Sequence, residues 1–160
     1  MLKIVSDQVE MFPFRRRATQ VECLMLQRAD DDTLGGTWHA VHGAIEPGET
    51  AVAAALRELR EESGLSPLRF WQIDYVSVFF LAATDTIHMN PIFCAEIEPT
   101  AVVSLSSEHQ AFQWLPIAQA IERFMWPNQR RALREIRDEV IEAGTGEPYL
   151  RVDLDEGMGK

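Results

Sequence analysis

The sequence predicts one layered α/β domain. Three observations carry that prediction: strand-like and helix-like segments alternate along the chain, one long helix has clear start and stop signals, and 46% hydrophobic against 25% charged residues is ordinary globular usage. At 160 residues, folding buries roughly two-thirds of the unfolded surface, enough for a core without staples. The formal net charge of −10, from 15 basic and 25 acidic residues, argues against a nucleic-acid polymer or an anionic membrane as partner. It still allows a small phosphorylated ligand, because a metal ion can reverse the sign of a site locally. Cys23 and Cys94 lie far apart in apolar stretches and read as buried free thiols. The longest apolar run, Val76 to Ala83, is far short of the about 20 residues a membrane span needs. Asp7 and Glu10 interrupt the start, where a signal peptide would run apolar. A cytoplasmic, reducing location is therefore expected.

Val21 to Gln27 reads as a largely buried strand, preceded by a solvated basic run, Arg15 to Arg17. Arg28 to Gly36 is a turn-rich loop of Asp and Gly. Thr50 to Ser63 is the clearest helix, with Thr50 as N-cap, Val52, Ala55, Leu56 and Leu59 toward the core, and Gly64 as a left-handed stop. Phe70 to Ala83 and His88 to Ile97 are β-rich, and the short link at Thr84 to Thr86 predicts a hairpin. Phe112 to Leu115 is a further short strand. Pro116 to Phe124 and Pro127 to Ala143 read as helices, each with Pro near its first turn. One domain over 1–160 is expected, with a loosely held tail over 144–160.

The chemistry concentrates in Gly43 to Leu65, GAIEPGETAVAAALRELREESGL. Glu58, Glu61 and Glu62 stand at i, i+3 and i+4, so three carboxylates share one helix face at the edge of the apolar stripe. Such crowding raises their pKa values and is relieved by a hard divalent cation. Taken alone, the three glutamates also fit a solvated acidic face paired with Arg57 and Arg60.

The wider spacing favours the first reading. The stretch resembles the Nudix box: Gly, five residues, Glu, seven residues, Arg-Glu, an aliphatic, any residue, Glu-Glu, any residue, Gly, an aliphatic. Gly43, Glu49, Arg57, Glu58, Leu59, Glu61, Glu62, Gly64 and Leu65 fill those places without departure. At average residue frequencies the seven fixed identities coincide on the order of once in a hundred million starting positions. The segment Leu105 to Leu133, with its Glu-His pair and Trp-Pro-Asn-Gln-Arg, further resembles the branch of bacterial dihydroneopterin triphosphate and dATP pyrophosphohydrolases.

The resemblance implies a Nudix α/β/α sandwich with a central mixed sheet, and an enzyme that hydrolyses a diphosphate linkage. It implies Mg²⁺ as cofactor, with Mn²⁺ as an alternative, held by Glu58, Glu61, Glu62 and the Gly43 carbonyl. Arg57 pairs with Glu49 to orient the box. Glu61 and Glu62 are candidate catalytic residues. So is Glu108, as a loop glutamate that completes the metal site or acts as base; a surface carboxylate is the competing reading. Glu96 and Glu98 are its rivals, though their alternation suggests the outer face of a strand. Arg28 and His42 are candidate substrate contacts, with His39 a weaker one. Trp38 either stacks on a base or pterin ring or anchors the core. The implied reaction turns a nucleoside triphosphate, or a relative such as dihydroneopterin triphosphate, into a monophosphate and pyrophosphate. The alternatives are a hydrolase of another nucleoside diphosphate derivative and a non-catalytic ligand-binding or sensor module; against the latter, every acidic residue of the box is present. The expected partner is a small phosphorylated molecule, and a homodimer is left open.

Overall fold

Strand β2 (Gln8–Arg16) sets the architecture, because it is apolar on both sides. Val9 and Met11 enter one hydrophobic cluster, while Phe12 and Phe14 enter the other. A strand of this kind must be covered on both faces. The computed structural model, which describes residues 1–154, provides that cover with helices above and below an eight-stranded mixed sheet.

The other strands are β1 (Lys3–Val5), β3 (Val21–Arg28), β4 (Trp38–His39), β5 (Val41–Ala44), β6 (Pro67–Leu81), β7 (Thr86–Ile97) and β8 (His109–Pro116). β2 pairs parallel with β7 through residues 10–14 and antiparallel with β5 through residues 8–11. At its far end it pairs antiparallel with β3, which carries β8 along its other side. β6 and β7 form the expected hairpin, its turn closed by Asp85 at φ 50.

β1 and β2 escape the sequence reading, and the basic run ending β2 is not simply solvated. Register places Arg15 opposite Glu22, and the two form a half-buried ion pair at 2.7 Å beneath Trp114. Cys23 and Cys94 are buried free thiols, as read.

Helix α1 (Ala51–Ser63) covers one face. Thr50 Oγ1 accepts from the Ala53 N–H at 3.1 Å, and Ala54, Ala55 and Leu59 pack on Val9, Met11, Leu24, Leu26 and Val41. Helices α2 (Ile117–Arg123) and α3 (Pro127–Ile136) cover the other. The long helix expected to Ala143 widens into a π turn at Arg137–Ile141 and ends with Ala143 at φ 53. The stretch after Gly144 is less free than expected. α4 (Glu147–Leu150) receives the Trp71 indole N–H on Glu147 at 2.7 Å, and the Val152 N–H reaches Phe70 O. The rest of that stretch, 155–160, lies outside the described residues.

Gly64 ends α1 at φ 71, and the next link matters for the site: the Ser104 N–H donates to Ser63 O at 2.8 Å, tying a distant loop to this helix end. A Cβ at Gly64 would meet Ser104 Cβ at 3.1 Å. Gly64→Ala should therefore cost about 1–2 kcal/mol, the left-handed penalty for a side chain. Denaturant unfolding measures this, and an unchanged midpoint would contradict the cap.

Candidate active site

Arg57 organises the entry to α1. Its Nε and Nη2 both donate to the Glu49 carboxylate at 2.9 Å, and Nη2 also reaches the Ala44 carbonyl at 2.8 Å. This two-pronged pairing holds the Glu49 carboxyl below its ordinary pKa and raises that of Arg57. The third nitrogen, Nη1, touches Glu58 at 2.7 Å and Glu61 at 3.3 Å. Sequence reasoning expected the Arg57–Glu49 pair; the geometry extends it to the loop backbone and the helix glutamates.

Gly43 allows the helix to approach the sheet. A Cβ there would sit 2.0 Å from Glu58 Cδ, so only glycine lets the Glu58 side chain lie against β5. Glu58 and Glu62 are consequently buried, whereas Glu61 faces solvent. Desolvation raises the Glu58 carboxyl despite its contact with Arg57. Glu62, 3% exposed, is pushed up to about 9, first by burial and then by the negative charges of Glu58 and Glu108. It accepts the His42 backbone N–H, but its Oε2 is buried without a hydrogen-bond partner among the described residues. A carboxylate so placed is costly unless something supplies positive charge.

Glu108 belongs to this group, although it lies far from the box in sequence. Ligand atoms of Glu62, Glu108 and His109 fall within 4.8 Å of one another. Two backbone bonds bring them together: Ser104 to the end of α1, and the Ala29 N–H to Glu108 O at 3.0 Å. A register shift at Gln27/Arg28 turns the end of β3 toward His109. His109 is buried with its Nδ1 unpartnered among the described residues, and burial lowers its pKa. The rival glutamates lie elsewhere. Glu96 is buried beneath Arg69 and Arg16, not on an outer face, and Glu98 is exposed.

Arg28 and His42 adjoin the glutamate cluster. Arg28 Nη1 pairs with Asp32 at 3.0 Å, while Nη2 stands 3.5 Å from both ring nitrogens of His42, a packing contact and not a directed bond. Arg28 Nε has no partner among the described residues. Burial, then the Arg28 charge, lower His39 and His42 to about 4, so both rings are neutral at pH 7. Arg28, His39 and His42 line a cavity of about 460 Å³ that runs under the start of α3. Trp38 is absent from its lining. That indole packs on the core cluster with the Arg123 guanidinium 5.2 Å from its ring, which matches the anchor reading.

Sequence reasoning missed the far side of this cavity. Phe79, Phe80 and Trp126 supply apolar wall, and Glu10, Ser77, Asn90 and Gln129 supply a buried polar floor. Only Trp-Pro-Asn-Gln at the start of α3 carried a signal, through the branch resemblance. A second cavity of about 590 Å³ lies between β6, α3 and α4 and includes none of the box residues.

The comparisons with known proteins agree with this geometry. A family model described as NUDIX domain matches residues 8–136. An octanoyltransferase of Myxococcus xanthus is 32% identical over 120 residues, 74% of this chain, which spans only 33% of that protein. The dihydroneopterin triphosphate diphosphatase of Escherichia coli is 54% identical over 121 residues, 67% of this chain and 77% of its own. As a structure, the E. coli dihydroneopterin triphosphate pyrophosphohydrolase superposes at TM-score 0.68 over 89% of this chain and 100% of its own, with 24% identity. A Caenorhabditis elegans Ap4A hydrolase complex superposes at TM-score 0.72 with 24% identity, covering 86% of this chain and 99% of its own. With an unbroken box on a matching α/β fold, the chain belongs to the Nudix family and is a Nudix hydrolase.

Proposed function

We propose that the protein is a Mg²⁺-dependent pyrophosphohydrolase that converts a ring-bearing triphosphate, a nucleoside triphosphate or dihydroneopterin triphosphate, into a monophosphate and pyrophosphate. The observation that carries this reading is the convergence of Glu62, Glu108 and His109, with the Glu58 charge felt by Glu62 and with Glu62 Oε2 buried and unpartnered among the described residues, beside a cavity lined by Arg28 and His42. A charge-crowded set dominated by carboxylate oxygens suits a hard divalent ion. Glu58, Glu61, Glu62, Glu108 and the Gly43 carbonyl would hold it. When bound, Mg²⁺ supplies charge neutralisation on the phosphates and polarises the attacking water.

The remaining work falls to the chain. Arg28, whose Nε is unpartnered among the described residues, and neutral His42 orient the polyphosphate between cavity and cluster. Glu108, exposed and outside the helix, takes a proton as water attacks phosphorus and a bridging P–O bond breaks. Arg57 and Glu49 touch no substrate and hold Gly43 and Glu58 in register.

Glu61→Gln and Glu62→Gln should each lower kcat by about two orders of magnitude or more while the fold survives. Steady-state turnover with Mg²⁺ tests this, scored over triphosphates, ADP-ribose and a dinucleoside polyphosphate. Wild-type rates in both variants would remove the glutamates from the reaction. Glu108→Gln should lower kcat more than it raises KM, because a base acts chiefly in the transition state. A pure KM effect would instead make Glu108 a binding group.

A further inference from the structure

The cavity floor holds an acidic side chain that the reaction above does not use. Glu10 lies on β2, directly opposite His42 of β5. It is 6% exposed and is compensated by amides and a hydroxyl instead of a cation. Gln129 Nε2 donates to Glu10 Oε2 at 3.3 Å, and Ser77 and Asn90 also donate to this carboxylate.

These bonds decide which way both amides face. Burial raises the Glu10 carboxyl, the donors around it lower it in part, and its oxygens accept from the amide NH₂ groups, which leaves each amide oxygen turned away. Asn90 Oδ1 and Gln129 Oε1 are thereby left buried and, among the described residues, without partners. Both side chains line the cavity with Glu10, and Asn90 and Gln129 are 2% and 5% exposed. The floor therefore offers acceptors in excess. A matching ligand edge must bring N–H donors to it, or leave buried oxygens unsatisfied.

We propose that Glu10, Asn90 and Gln129 are the specificity-determining residues of the site and select a 2-amino-4-oxopyrimidine edge, the edge common to guanine and pterins, over adenine. This rests on the hydrolase reading above for the reaction but not for the recognition. That edge presents a ring N–H and an exocyclic amino group side by side, two donors facing one way. Adenine offers an amino donor beside a bare ring nitrogen, whose lone pair would oppose the Glu10 carboxylate. Phe80 and Trp126, both exposed at the cavity, supply faces for stacking a flat ring. Because Glu10 neighbours His42 across the strand pair, a ring on this floor has its phosphate tail on the side of Arg28 and the glutamate cluster.

The test compares kcat/KM with Mg²⁺ for GTP, ATP and 7,8-dihydroneopterin triphosphate in wild type, Glu10→Gln and Gln129→Leu. The wild type should favour the guanine and pterin substrates over ATP by about tenfold or more, and each variant should lose most of that ratio. A second arm needs no hydrolysis: guanosine, neopterin and adenosine are titrated calorimetrically into the metal-free proteins. Selective binding of guanosine and neopterin, abolished by Glu10→Gln, supports the floor even if no triphosphate is turned over, an outcome that would overturn the hydrolase reading alone. Equal or tighter use of adenine by the wild type, or ratios unchanged in both variants, overturns the proposal. Should Glu10→Gln fail to fold by circular dichroism, the wild-type ratio and Gln129→Leu still decide it.

Discussion

The crowding of carboxylates at the buried edge of α1 is the constraint on which the rest of the structure turns. Glu58 and Glu62 are both largely removed from water, and Glu108 adds its charge nearby. Arg57 and Arg28 are cations beside them, yet two of the Arg57 nitrogens are committed to Glu49 and Ala44, and Arg28 is paired with Asp32. An ordinary core would not tolerate this arrangement, because like charges held together out of water drive one another toward protonation. Local features nevertheless enforce it. Gly43 removes the Cβ that would displace Glu58, Thr50 and Gly64 cap the helix at both ends, and Ser104 ties the Glu108 loop to that helix. Stability is given up locally for a site that attracts positive charge.

A second consequence follows from the strand pairing. β5 lies beside the start of β2, so His42 is bonded through its backbone to Glu62 and paired in register with Glu10. One residue thus joins the glutamate cluster to the polar floor of the cavity. Those two places lie on opposite faces of the sheet: α1 packs with Val9 and Met11, whereas Glu10 is met by Gln129 of α3. The layered architecture brings a carboxylate cluster and a ring-sized pocket to one end of the sheet, though no short sequence segment contains both.

The box was legible because its determinants are local. Helix capping and the i, i+3, i+4 carboxylates fall within one stretch of chain, so spacing put Glu58 and Glu62 at the core edge, though Glu61 turns to solvent; the Arg57–Glu49 pair was read from the resemblance to the Nudix box. Glu108 was readable only by resemblance. Its position depends on two backbone bonds to distant segments and on a register shift in β3. β2 was hidden because it is apolar on both faces, with Pro13 and Glu10 breaking the alternation that marks a half-buried strand. Trp38 attracted a stacking role by its place before the box, but register with Gln27 and contact with the core cluster give it a packing one. The floor was out of reach for a similar reason: Glu10 and Gln129 are 119 residues apart, and Asn90 comes from a third element.

The central claim is that Glu62 is held unfavourably until a divalent cation arrives. Its pKa is raised from 4.5 to about 9 in the folded chain, so folded Glu62 keeps a proton that the unfolded chain releases. Stability owed to this group is present below about pH 4.5 and is lost as pH rises toward about 9. The direct measurement is denaturant unfolding of metal-free wild type and Glu62→Gln across that window, repeated with Mg²⁺. The account predicts that the glutamine variant gains on the wild type as pH rises, and that Mg²⁺ closes or reverses the gap. A wild type that holds its stability against the variant throughout, with no response to Mg²⁺, would contradict it.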